Sequence, residues 1–273
     1  MLKPGSKGLL IAIFFITITS CSKFSRIQKS TDIEAKYTAA VEYYDNGSYY
    51  QALQLFEELV SMFRGTEKAE ITYYYYCMCY YQTGEFTVAA YHFNNFVKTF
   101  PGSEKAEQAA FNNAMCYYLD SPIYSLDQSS TFESINQFQL FVNRHPKSEK
   151  VEECNTLIDE LRYKLETKEY NTAKLYFKMS RYKASVTAFK NLLKYYPATE
   201  YKEESLYYIL VSSYSYADRS IKTKQSERFK NTIEAYNILM DAFPDTIYGK
   251  EAQKVLNDSK NRLKKLESEE DWG

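Results

Sequence analysis

Apolar positions along this chain recur at helical spacing, and the recurrence itself repeats. Tyr37, Val41 and Tyr44 stand at i, i+4 and i+7, so they line one face of a first helix. Asn46-Gly47 follows, a pair that tolerates positive φ and ends a helix. Tyr49, Ala52, Phe56 and Leu59 then mark a second helix. Tyr74, Met78 and Tyr81 copy the first stripe, Gly84 copies the stop, and Phe86, Ala89, Phe93 and Phe96 copy the second stripe, which ends at Phe100-Pro101. Proline cannot donate to a helix, and it drives the residue before it out of helical geometry, so this boundary is firm. A constant offset of 37 residues relates the columns Tyr37/Tyr74/Phe111, Val41/Met78/Met115, Tyr43/Tyr80/Tyr117 and Tyr44/Tyr81/Tyr118. The connecting segment returns too, Thr66-Glu67-Lys68-Ala69-Glu70 as Ser103-Glu104-Lys105-Ala106-Glu107. Such self-similarity predicts stacked helix hairpins, each too small to bury its apolar face alone.

The residue types at these places resemble the tetratricopeptide repeat: Ala40, Tyr43, Gly47, Tyr49, Ala52 and Phe56 in one unit, and Cys77, Tyr80, Gly84, Phe86, Ala89, Phe93 and Pro101 in the next. The three residues beyond the usual length of about 34 fit a lengthened start to each first helix. A third unit carries Ala114, Tyr117, Ser134, Phe138, Phe141 and Pro146 around a loop near residues 121–130. An added helix from Ser148 to about Glu166 follows, apolar at Leu157, Leu161 and Leu165. The fourth unit has Ala173, Tyr176, Tyr182, Ser185, Phe189, Leu192 and Pro197; the fifth has Val211, Tyr214, a polar loop over about 218–226, then Phe229, Thr232, Tyr236, Leu239 and Pro244. A last helix near Tyr248–Leu266 caps the array. The expectation is an all-α tetratricopeptide-repeat superhelical solenoid of about five helix pairs plus a capping helix.

The first residues speak to compartment. Lys3 and Lys7 precede an apolar run from Leu9 to Ile18, too short to span a membrane and suited to a signal peptide. It closes on Ile18-Thr19-Ser20-Cys21, which resembles a bacterial lipobox. That resemblance implies diacylglycerol on the Cys21 sulfur and cleavage before it. Ser22 in place of an aspartate implies sorting to the outer membrane, and the basic stretch Lys23, Arg26 and Lys29 implies a periplasmic-facing position. The organisation expected is a signal peptide over 1–20, an acylated tether over 21–32, repeats one to three over 33–146, and the linking helix, repeats four and five and the capping helix over 147–273.

Composition changes the picture chiefly by exclusion. With 34 basic and 35 acidic residues the chain has no electrostatic footprint for nucleic acid. His92 and His145 are the only histidines, neither set at metal-ligand spacing, and no phosphate-cradling loop or nucleophile elbow occurs. Cys77 takes the small packing position of its repeat, while Cys79 and Cys116 are equivalent positions one repeat apart, so the thiols read as structural. No enzyme activity, cofactor or metal is expected.

Lipobox, repeats beginning some ten residues after Cys21, an added helix after the third unit, and Phe100-Pro101-Gly102-Ser103-Glu104 at a helix end together resemble the BamD family, lipoproteins of the outer-membrane β-barrel assembly machinery. The resemblance implies a non-catalytic scaffold that docks the barrel-forming BamA subunit and other subunits of the complex, receives unfolded outer-membrane proteins, and meets the membrane only through its acyl anchor. Another periplasmic repeat lipoprotein, pilotin-like or a cell-envelope coordinator, has the same anchor with a different partner. A glycan-binding uptake lipoprotein is a third possibility, although such proteins carry a large ligand region for which this chain has no room. The register puts Tyr37, Tyr44, Tyr74, Met78, Tyr81, Phe111, Met115 and Tyr118 on one first-helix stripe facing the concave groove. They either hold an extended peptide, with hydroxyls meeting its backbone, or pack between neighbouring helices.

Overall fold

The computed structural model describes residues 23–270, and every regular element among the described residues is an α-helix. Cys21 and the segment read as a signal peptide lie outside them. Eleven helices follow a short helical stretch at 23–28: α1 (Ile33–Asp45), α2 (Tyr49–Met62), α3 (Ala69–Gln82), α4 (Phe86–Thr99), α5 (Ala106–Asp120), α6 (Ser129–Arg144), α7 (Val151–Lys178), α8 (Tyr182–Tyr195), α9 (Lys202–Asp218), α10 (Lys222–Ala242) and α11 (Gly249–Glu270). They form two units. The first holds residues 23–122 and 127–158; the second holds 123–126 and 159–270.

The tight turns inside the hairpins are alike because their backbones are alike. Ser48 N–H donates to the Tyr43 carbonyl and Gly47 N–H to Tyr44, the paired bonds of a Schellman cap; Glu85 to Tyr80 and Gly84 to Tyr81 repeat it. The residue at the bend has φ near +75° at Gly47 and +80° at Gly84. The third such turn, Arg181 to Tyr176 and Ser180 to Phe177, puts Ser180 at φ +57°. Between hairpins, Phe100 N–H closes α4 on Phe96, and turns through Ser103 lead to α5.

Hairpins close where a small residue lets two helices approach. Ala52, Ala89, Ser134, Ser185 and Thr232 hold this place in successive second helices, all fully buried. The two serines are satisfied across the hairpin, Ser134 Oγ–H donating to the Ala114 carbonyl (3.3 Å) and Ser185 to that of Ala173 (3.1 Å). Beside them Phe56, Phe93, Phe138, Phe189 and Phe229 are buried in full, each worth roughly 1.5–3 kcal/mol of hydrophobic stabilisation.

Three expectations need correction. The 37-residue period does not lengthen the first helices: α3 and α4 are 14 residues each, and the extra residues lie in the connection Phe100–Lys105. The Ser-Glu-Lys segment is held there in turns and bonds back to the preceding repeat. The added helix and the first helix of the fourth unit are one helix of 28 residues, α7, because no glycine or proline separates them. The polar loop after α9 is also shorter, since helix resumes at Lys222 with Gln225 donating to the Asp218 carbonyl. At the other end, residues 23–28 pack on the first hairpin: Phe24 meets Tyr43 edge-on at 5.5 Å, and buried Lys36 binds the Gln28 carbonyl (2.9 Å) and Glu58 (2.5 Å).

Candidate functional site

The eight stripe residues stand on α1, α3 and α5 of the first unit, and none is exposed: Phe111 is buried and the other seven are half-buried. Each ring leans on the second helix of its own hairpin. Tyr37 meets Phe56 and Phe63 at 6.4 and 5.8 Å, Tyr74 meets Phe96 at 5.5 Å, Tyr81 meets Phe86 at 5.9 Å, and Phe111 meets Phe138 and Phe141 at 6.0 and 5.8 Å. Tyr44 meets Tyr49 at 5.3 Å and also bridges hairpins, 5.0 Å from Tyr75, while Tyr118 reaches Phe138 at 6.5 Å. Burial raises the hydroxyl pKa of Tyr37, Tyr74 and Tyr81 and pushes that of Tyr44 to about 12. These hydroxyls therefore stay protonated donors at neutral pH. Met78 accepts a 3.3 Å hydrogen bond at its sulfur from the Asn112 carboxamide, and half-buried Met115 completes its column.

Lysines divide the stripe into a covered and an open part. Lys68 lies over Tyr37 at 5.0 Å, Lys105 over Tyr74 at 4.9 Å and Lys150 over Phe111 at 4.7 Å, each from the start of the following repeat. A serine two residues earlier reinforces the link in two cases: Ser103 Oγ–H donates to Glu70 and Ser148 to Glu107, both at 2.6 Å. Lys68 also pairs with Glu34. Reading for helical stripes alone misses these lysines, although their signal is present as Thr66-Glu67-Lys68, Ser103-Glu104-Lys105 and Ser148-Glu149-Lys150. The column Tyr37/Tyr74/Phe111 is thus capped, while Tyr44, Met78, Tyr81, Met115 and Tyr118 form the half-buried remainder of the stripe.

The groups with chemical potential elsewhere are held in inert settings. His92 sits among tyrosines, 3.1 Å from the Tyr73 hydroxyl at Nδ1 and stacked on Tyr80 at 5.3 Å, and burial lowers its pKa. Cys77, Cys79, Cys116 and Cys154 are buried free thiols; burial pushes Cys79 and Cys116 up to about 12 and Cys154 to about 11, so the nucleophilic thiolate is suppressed. Among the described residues no His, Cys, Asp and Glu group has the makings of a metal site, and no helix is long and apolar enough to cross a membrane.

Among curated proteins none matches the sequence. Solved structures that resemble it are helical repeat proteins at low identity and with partial overlap. The TPR2AB domain of yeast Sti1, in a structure titled as its pHSP90 complex, is 9% identical, with 84% of this chain and 98% of that chain covered and a TM-score of 0.38. The P58(IPK) TPR domain is 12% identical over 88% and 68%, with a TM-score of 0.42. A TPR repeats protein from Bacteroides fragilis NCTC 9343 is 13% identical over 85% and 100%, with a TM-score of 0.37. The fold assignment rests on the hairpins described above, whose turns, small-residue crossings and period are those of a helical repeat solenoid. The family model YfiO, described as outer membrane lipoprotein, matches residues 29–215, which take in the aromatic stripe, the lysine caps and all of α7 and α8. The chain belongs to the YfiO family of outer membrane lipoproteins, the family of BamD, and is a repeat scaffold of that kind.

Proposed function

We propose that this protein is a non-catalytic scaffold of the outer-membrane protein assembly complex, held at the periplasmic face by acyl chains on Cys21. In this reading it docks a BamA-like barrel protein and other subunits, and receives extended segments of unfolded outer-membrane proteins along the stripe of the first unit. One observation carries the substrate role: the repeat spaces half-open rings with protonated hydroxyls at regular intervals, with sulfur-bearing Met78 and Met115 between them. A segment with alternating apolar side chains finds ring faces for those side chains and donors for its backbone carbonyls. Docking of the barrel protein is assigned to the second unit. There the loop at 123–126 presents Ile123 and Leu126, 67% and 55% exposed, while Lys168 fixes its backbone by donating to the Leu126 carbonyl at 2.6 Å.

The test replaces Tyr44, Tyr81 and Tyr118 together by Leu, which keeps apolar packing and removes ring and hydroxyl. Truncations at aromatic anchors commonly cost about 2 kcal/mol or more. Affinity for a peptide from the C-terminal strand of a barrel protein is expected to fall at least about tenfold, with helix content and barrel-protein copurification unchanged. Undiminished peptide affinity in a folded variant would make the stripe purely structural.

A further inference from the structure

The second unit keeps open a groove that the repeats of the first unit fill. Between α8 and α10, over α9, lies a space of about 570 Å3, floored by Leu206, Ile209 and Ser213 and walled by Lys183 and Lys190 of α8 and Ile238 of α10. Alignment on the buried crossing positions, Ala114 with Leu210 and Ser134 with Thr232, finds the equivalent place between α4, α5 and α6. That cavity is only about 30 Å3. Asn113 and Gln137 bridge it there by a 2.8 Å hydrogen bond. One repeat earlier the same places hold Tyr76 and His92, with Tyr73 beside them, ring against ring at 4.9 Å for Tyr76 and His92. In the fifth repeat the corresponding residues are the apolar Ile209 and Ala235, both buried in the core of the unit, and neither can make the polar bridge found in the earlier repeat. An open groove is therefore a property of these residues and not of repeat stacking.

Its charge is lopsided. The α8 wall carries Lys183 and Lys190, and a contiguous space of about 680 Å3, sharing Lys183, Thr187 and Tyr216, continues past Arg181 and Arg219 with no carboxylate in its lining. The two carboxylates of the groove, Glu227 and Glu234, both stand on α10, where Arg228 is engaged with Ser220 and lies 4.0 Å over the Tyr216 ring. Exposed Arg181, Lys183 and Lys190 make no ion pair among the described residues. The wall residues recur at i, i+3, i+7 and i+10 from Lys183 to Leu193, a straight run of about 15 Å or three helical turns.

We infer that this groove is a second protein-docking site, and that its occupant is an amphipathic α-helix of a partner protein, apolar toward Leu206 and Ile209 and bearing Asp or Glu on the edge that meets α8. Straightness, length and an apolar floor suit a helix laid into a groove, and the cationic wall selects its charge and orientation. This site stands apart from the aromatic stripe and does not depend on it.

The probe is a fluorescein-labelled helical peptide of about 14 residues with Leu at i, i+3, i+4 and i+7 and Glu flanking them, compared with its Lys-for-Glu counterpart, each titrated by anisotropy into the full chain. The acidic peptide is expected to bind at least about tenfold tighter than the basic one. Ala235→Gln, which puts the side chain of Gln137 at a buried position, and the exposed double variant Lys183→Glu/Lys190→Glu are each expected to weaken it by at least about tenfold, the double variant with unchanged melting. If Ala235→Gln fails to fold, the double variant decides alone. Equal binding of the two peptides, or acidic-peptide binding untouched by the charge reversal, overturns the inference. So does self-association in sedimentation velocity that the double variant abolishes, since the groove would then belong to a second copy of this chain.

Discussion

Ser180 holds, at the turn of its hairpin, a conformation that Gly47 and Gly84 hold at the matching turns. At φ +57° its Cβ crowds the following carbonyl, a cost of roughly 1–2 kcal/mol that glycine does not carry. A Cβ built on Gly47 or Gly84 meets nothing within 4 Å, so glycine is required at those bends by the backbone alone and not by close neighbours. Ser180→Gly is therefore expected to stabilise the protein by up to about 1 kcal/mol, offset in part by the greater freedom of glycine in the unfolded chain. Gly84→Ala should lose about 1 kcal/mol or more. Urea titrations of both variants check this, and a Ser180→Gly midpoint at or below the parent would mean that the turn is not strained. The sequence announces the two glycine bends plainly. It is silent on the third, because a serine carries no mark of positive φ; only the bonds from Ser180 and Arg181 to Phe177 and Tyr176 show that the turn is the same.

At the scale of the helix, the hairpins were legible because two periods coincide, 3.6 residues within a helix and 37 between repeats, and because Gly84 and Pro101 punctuate them. The continuous α7 was not, since a stop inferred from repeat phase needs a breaker that this segment lacks. The candidate site was legible in the same measure: the stripe residues could be placed on their helix faces, but the lysines that cover Tyr37, Tyr74 and Phe111 come from the next repeat, and the contact spans about 30–40 residues of chain. These connections are what neighbouring repeats share, so their energy is a nearest-neighbour quantity. A double-mutant cycle on Ser103→Ala and Glu70→Gln is expected to show a coupling of about 1 kcal/mol, as suits a part-buried hydrogen bond to a carboxylate. Ser103→Ala combined with Ser148→Ala, which breaks links in two different connections, is expected to be additive. No coupling in the first pair would show that this bond does not link neighbouring repeats, and coupling in the second would show that the energy of these connections is not a nearest-neighbour quantity.

At the scale of the molecule, the first unit holds two apolar clusters, around Phe56 and around Phe93, and the second holds one around Phe189 and Leu239, while the proposed membrane anchor is a single thiol, Cys21, outside the described residues. Only Ser22 separates Cys21 from Lys23, and Phe24 and Ile27 are already packed against the first hairpin. An acyl group on Cys21 would thus be joined to the repeats by very little free chain. Membrane binding gains about 0.8 kcal/mol per buried methylene, and one myristoyl chain is marginal where two or three hold firmly. Cys21→Ala removes the sulfur proposed to accept the diacylglycerol and touches no packed residue among those described. The variant is expected to incorporate no radiolabelled palmitate and to leave the outer-membrane fraction when partner proteins are depleted, with a melting curve for the soluble body like that of a Cys21→Ser variant. Fractionation alone is a poor readout, since the proposed docking to a barrel protein would retain an unanchored chain at the membrane. Palmitate labelling that persists in Cys21→Ala is the result that would overturn the anchor.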